Sequence, residues 1–248
     1  METILIKVGG HEVEDAAFLN GLADTIKALN QRVIIVHGGG KEISALQEKL
    51  GIEPRYLDGV RITDAASLSV VEMVLCGIVN KRLVRHLVAG GVDALGMSGV
   101  DRGLIFAQKM PHPTVDMGLT GKVMAVRCDA LFDLLERGIT PVIAPICMGR
   151  DTNYNVNADH VAGAVAKAVG ASRAVFLTNV EGVLVSGQVA PALTEAQAKS
   201  LILDGTIFGG MIPKVETALQ ALSEGVPQVV ITNLAGLKTG GGTAFVAA

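Results

Sequence analysis

Ile4-Leu5-Ile6-Lys7-Val8-Gly9-Gly10 and, one helical stretch later, Val33-Ile34-Ile35-Val36-His37-Gly38-Gly39-Gly40 decide the fold. Each is a short β-rich run that ends in glycines, and residues 15–29 between them repeat apolar side chains at helical spacing. A strand, a helix and a second strand form a unit that pairs its strands in parallel and covers one face of the sheet. The same rhythm returns at residues 92–97, 142–144, 174–177 and 229–231, each beside a helical segment. The expected class is therefore α/β: a mainly parallel sheet with helices on both faces.

Residues 65–88 read as one long apolar-periodic helix, with Thr63-Asp64 placed to cap its first N–H groups. A helix of that length commonly forms an interface as well as a core. Between residues 99 and 127, Pro111, Pro113, Gly118 and Gly121 break the pattern into β-hairpins. No Ser/Gly-rich linker divides the chain, so two lobes are expected to share one sheet, joined near residue 170.

Composition narrows the function. The 248 residues are half hydrophobic, enough for a large core, and carry a net charge of −3, which offers no long-range attraction to nucleic acid or anionic membrane. Trp is absent and aromatics are 3%, so a base-stacking surface is unsupported. The three cysteines, Cys76, Cys128 and Cys147, form no CxxC pair and read as small apolar residues of a reducing compartment. The N-terminus has no signal-like apolar segment, and charges interrupt every later apolar run, which reads as a cytoplasmic protein.

Three glycine-rich junctions follow strands: Gly9-Gly10, Gly38-Gly39-Gly40 and Ser98-Gly99. At the carboxyl edge of a parallel sheet, such junctions can bring backbone N–H groups close to an anion. Any one alone reads equally as a tight turn. Neither GxxxxGK[ST] nor, at the first junction, GxGxxG is present, so a phosphate site would be of another kind. Asn155-Val-Asn157-Ala-Asp159 precedes an apolar helix, where Asn157 or Asp159 could be simple caps. Gly209-Gly210-Met211-Ile-Pro213-Lys214 puts a lysine at the positive start of a helix, a place that an anionic neighbour would explain and that a solvated surface lysine also allows.

Taken together, the blocks Ile6–Gly10, Val36–Gly40, Gly59-Val-Arg61-Ile-Thr-Asp64, Val79-Asn-Lys81, Pro141–Pro145, Asn155–Asp159, Leu177–Val183 and Gly210–Lys214 resemble the amino-acid-kinase family over essentially the whole length. Within it they are most similar to the enzymes that phosphorylate N-acetyl-L-glutamate. The resemblance implies a three-layer αβα sandwich with an open sheet of about eight strands. It also implies that the N-terminal lobe, residues 1–170, holds the acyl-amino acid, and that the C-terminal lobe, residues 171–248, holds ATP. By position, Gly39, Gly40, Arg61 and Asn155 would bind acetylglutamate. Lys7 and Lys214 would flank the transferred phosphoryl group, oriented by Asp159. Gly10, Asn157, the turn Asn179-Val180-Glu181-Gly182-Val183-Leu184, and Thr206, Ile207, Phe208, Gly210 and Met211 would serve the nucleotide and its phosphates. Mg²⁺ would arrive with ATP, and no protein metal cage is implied.

Lys41 and Asn179 depart from residues common in the family, proline and aspartate respectively. The short stretch before Lys7 implies a homodimer insensitive to arginine, paired through the 65–88 helix. Two other readings remain at this point: a kinase whose glutamate or α-aminoadipate substrate is held on an acidic carrier protein, and a non-catalytic ligand sensor on the same fold.

Overall fold

The computed structural model describes residues 1–10 and 12–246. In chain order the strands are β1 (Thr3–Val8), β2 (Arg32–His37), β3 (Arg55–Leu57), β4 (Val60–Ile62), β5 (Ala94–Gly99), β6 (Ile105–Lys109), β7 (Thr120–Val126) and β8 (Thr140–Met148). They continue as β9 (Asn153–Val156), β10 (Arg173–Leu177), β11 (Leu184–Val185), β12 (Gln188–Val189), β13 (Ala192–Thr194), β14 (Gln228–Thr232) and β15 (Thr243–Val246). The helices are α1 (Ala16–Ala28), α2 (Gly40–Lys49), α3 (Ala65–Glu72), α4 (Asn80–Ala89), α5 (Cys128–Glu136), α6 (Ala158–Ala168), α7 (Glu195–Leu203), α8 (Met211–Ser223) and α9 (Leu234–Thr239).

One sheet runs in the order β13-β15-β14-β10-β1-β2-β8-β6-β7-β9, with β5 also pairing β8. Its centre, β14-β10-β1-β2-β8, is parallel throughout. The antiparallel pairs lie toward its margins, at β14–β15, β6–β7 and β8–β9. Among the described residues the sheet has eleven strands rather than about eight. Edge strands as short as Ala192–Thr194 and Asn153–Val156 are too brief to show a period of two in sequence.

Central strands are apolar on both faces because helices cover both. On β1, Ile4, Ile6 and Val8 enter one core with Leu19 and Leu22 of α1, Ile43 of α2, Leu83 of α4 and Leu237 of α9. Leu5 enters the other core, with Leu131 of α5, Val161 and Val165 of α6, Ala198 of α7 and Val215 of α8. This alternation puts Lys7 on the α6 face, where another apolar residue would otherwise continue the pattern.

Helix starts follow capping chemistry. The Asp15 carboxylate accepts from the N–H groups of Ala17 and Phe18, Asp64 from that of Ser67, and Asn157 from that of Asp159. The 65–88 helix is continuous but changes character, because Met73–Val79 is a π-helical segment between α3 and α4. Its apolar spacing does not distinguish that from an ordinary helix. No helix among the described residues is long and apolar enough to cross a membrane.

Candidate active site

Lys7 leaves the carboxyl end of β1 toward α6, and its Nζ lies 2.8 Å from Asp159 Oδ1, with about a fifth of each side chain exposed. The contact is one of charge rather than a directed hydrogen bond, since Oδ1 has no partner in hydrogen-bonding geometry. Asp159 stands in the first turn of α6, held there by Asn157, whose Oδ1 accepts from the Asp159 N–H at 2.7 Å. The cap is realised in this block, and its Asp159 also lines a cavity beside Lys7.

Lys214, in the first turn of α8, donates to Thr178 Oγ1 at 2.6 Å and reaches Asn179 Oδ1 at 3.5 Å. Among the described residues it makes no ion pair with a carboxylate, although it sits at the positive end of a helix. Lys7, Gly10, Asp159, Thr178, Asn179 and Lys214 all line one cavity of about 620 Å³, whose other walls include Phe18, Phe176 and Ile231.

A second cavity, of about 180 Å³, is lined by Gly39, Gly40, Arg61, Leu75, Asn155 and Asn157. Arg61 is 7% exposed. Its Nη1 donates to Gln47 Oε1, and its Nη2 to Gly40 O at 3.1 Å and Ser44 Oγ at 2.9 Å. Its guanidinium lies over the Tyr56 ring, 4.8 Å from the centroid. Burial draws its pKa below the ordinary arginine value, and every partner just named is neutral. A buried cation without a counter-ion is costly unless an anion joins it. Asn155 Nδ2 donates to Thr63 Oγ1 at 3.0 Å, which ties β9 to the segment that carries Arg61.

The two cavities meet at the glycines. A methyl group on Gly10 would stand 3.2 Å from the nitrogen of Gly40 and 3.3 Å from that of Gly39. Two ammonium groups line the larger cavity beside the carboxylates of Glu12, Asp15 and Asp159, and the missing side chain of Gly10 leaves backbone open beside the N–H groups of the next loop, as an anionic ligand would need. Among the described residues no group of three or more His, Cys, Asp and Glu could hold a metal ion.

Not every expected residue lies here. Of the two loops expected to take the nucleotide, Asn179 lines the larger cavity. Val183 and Ile207 are buried in the core, and Val180 and Met211 pack against it. Gly182 is also buried, and a side chain on it would press on Thr243 Oγ1. Glu181, Leu184, Phe208 and Gly210 are exposed, and Thr206 is half-buried, outside the lining of that cavity. The third glycine junction converges with neither cavity. Ser98 instead donates to Asp101 Oδ2, and Gly99 lies where a side chain would strike Ile146 O on β8.

The partners that hold Arg61 carry no sequence signal. Gln47 and Ser44 are ordinary helical positions until Arg61 is seen to use them. Thr178 could have been noted as the residue directly after an apolar strand, at the same edge as Gly9 and Gly38.

Residues 2–233 match the model of the amino acid kinase family. The chain belongs to the amino acid kinase family. Among similar members, a protein named acetylglutamate kinase from Roseiflexus sp. (strain RS-1) is 56% identical over 241 residues, which span 97% of this chain and 92% of that one. The acetylglutamate kinase of Methanopyrus kandleri is 45% identical, over 96% of this chain and 98% of its own. Among solved structures, a Streptococcus mutans protein superposes with a TM-score of 0.82 at 30% identity, covering 99% of each chain. The carbamate kinase of Giardia lamblia bound to AMP-PNP shares the fold, with a TM-score of 0.70 at 14% identity, over 100% of this chain and 99% of its own. As a member of this family the chain is a phosphotransferase, built on the αβα sandwich described above.

Proposed function

We propose that the chain transfers the γ-phosphoryl group of MgATP to the side-chain carboxylate of N-acetyl-L-glutamate, giving N-acetyl-L-glutamyl 5-phosphate and ADP, the second step of arginine biosynthesis. The observation that carries this reading is the pair of cavities meeting at Gly10, Gly39 and Gly40, with Lys7 and Lys214 in one and, in the other, Arg61, whose hydrogen-bond partners among the described residues are all neutral. The relatives named acetylglutamate kinase support the acceptor.

The acceptor carboxylate is ionised at neutral pH, so it attacks phosphorus without a general base. Catalysis then rests on bringing two anions together and on neutralising the charge that gathers on the transferring group. Arg61 would take the α-carboxylate through its planar fork, beside Asn155. That leaves the side-chain carboxylate directed at Gly39 and Gly40. Lys7 and Lys214 would approach the γ-phosphoryl oxygens from either side, with Asp159 fixing the position of Lys7. The N–H groups of Gly10 and Gly39 would meet the same oxygens. Asn157 and the loops at 179–184 and 206–211 would serve the nucleotide side. Mg²⁺ would enter bound to ATP and neutralise its β- and γ-oxygens. The acceptor lobe is assigned to residues 1–170 and the nucleotide lobe to 171–248.

An ADP-release assay with N-acetylglutamate, glutamate and aspartate as acceptors tests the proposal. Turnover is expected with the first only, and equal rates with free glutamate would exclude it. No observation here favours a carrier-linked acceptor. We further assign the protein to the cytoplasm and to a homodimer. Met73, Ile78 and Val88 are about half exposed on the 65–89 helix, which supports pairing there. A monomer in sedimentation at all concentrations would refute that pairing.

A further inference from the structure

Asn80 is 1% exposed and follows the π-helical segment directly. Its Nδ2 donates to Val142 O at 2.9 Å and lies 3.1 Å from His37 Nε2. Its Oδ1 accepts from Lys81 Nζ at 3.0 Å. Reversing the amide would set oxygen against the Val142 carbonyl and nitrogen against an ammonium group, so the orientation is determined.

The same logic fixes His37, which is fully buried. Its Nδ1 lies 3.0 Å from Gly38 O, a group that can only accept, so Nδ1 carries the proton. Nε2 then offers a lone pair to Asn80 Nδ2. Burial lowers the His37 pKa to about 4, in keeping with a neutral ring. The relay ends on the glycine loop. Gly38 N–H donates to Val8 O at 3.0 Å, and a methyl group on Gly39 would lie 2.8 Å from Leu75 Cδ2 and 3.0 Å from Val79 Cγ2. The loop is therefore gripped on one side by β1, on another by the π-helical wall, and through its carbonyl by His37.

We propose that Asn80 is a positioning residue for phosphoryl transfer, acting through His37 to hold the Gly38–Gly40 backbone so that its N–H groups face Gly10 and the transferring group. The inference rests on the proposed reaction. A buried asparagine that served only the core would affect folding and leave the chemical step alone. A positioning residue affects the step made at the glycines more than the binding made at Arg61, which keeps Gln47 and Ser44 as anchors outside the loop.

Asn80→Ala is expected to lower kcat by at least tenfold, with the KM for N-acetylglutamate within threefold of wild type. His37→Asn keeps a donor near the place of Nδ1, and His37→Gln keeps only an acceptor near that of Nε2. The first is expected to retain several-fold more of kcat. In the double variant Asn80→Ala/His37→Gln, the two losses are expected not to multiply. Hydrogen exchange over residues 38–40 adds a readout without turnover. Asn80→Ala is expected to speed it at least tenfold while leaving residues 173–177 unchanged. Unaltered exchange, equal kcat in the two His37 variants, multiplicative losses, or a loss carried wholly by KM would each overturn the proposal. If wild type fails to turn over N-acetylglutamate, the proposed acceptor falls instead, and the exchange measurement still decides the role of Asn80.

Discussion

Acidification tests the His37 relay through stability. The buried ring is expected to stay neutral until its pKa near 4, far below the ordinary value of 6.5, chiefly because burial disfavours the charged form, with the nearby Lys81 charge adding to the effect. In the unfolded chain the same ring takes a proton near 6.5. Between these values the unfolded state binds more protons, so stability rises with pH across that window. The contribution is fully present above 6.5 and is lost as pH falls toward 4. A gap of 2.5 units between the two values corresponds to about 3 kcal/mol, or roughly 6–12 °C in Tm for a chain of this size. Carboxylates titrate in part of the same range, so the quantity to follow is a difference. Guanidinium midpoints of wild type and His37→Gln at pH 7.5, 6, 5 and 4 should converge by about 3 kcal/mol. Parallel curves would show that the ring titrates alike in the folded and unfolded states, near 6.5, and would refute the burial-lowered pKa that keeps it neutral down to about pH 4.

Lys214→Ala is expected to lower kcat by on the order of 10² or more, by analogy with the loss of one preorganised donor to a developing anion. Wild-type ADP release by that variant would remove Lys214 from the site. Arg61→Lys keeps the charge but loses the fork that reaches Gln47, Gly40 and Ser44 together. It is expected to raise the KM for N-acetylglutamate about 10- to 100-fold while leaving that for ATP near wild type, as steady-state kinetics with each substrate varied will show.

Much of this site was legible in the sequence because its parts are backbone devices with local signatures. Glycines at strand ends, a cap before α6 and a lysine at the start of α8 each follow from neighbours in the chain. Strand alternation is similarly local, and it gives Lys7 its face. What was not legible depends on contacts between distant segments. The Arg61 side chain is placed by Gln47 and Ser44, and Asn80 is joined to His37 across 43 positions. The Ser98-Gly99 junction misled for a related reason. Its glycine answers a close approach to β8, and the local sequence of such a turn is the same as that of a ligand loop. The two loops expected to carry the nucleotide were chosen by resemblance alone, and only Asn179 among them lines the larger cavity.

The placement of β1 has a consequence for how the chain is made. Its backbone pairs with β2 on one side and β10 on the other, yet β10 begins at Arg173. During synthesis the first strand therefore presents an unpaired apolar edge until more than two-thirds of the protein has emerged. Lys7 meets Asp159 before then, but Lys214 joins them only after β10 has closed that edge. A product truncated before β10 is thus expected to carry an unpaired strand edge and a cavity without Lys214 together, so that it aggregates rather than acting as a partial enzyme, which light scattering of a chain ending before Arg173 would check.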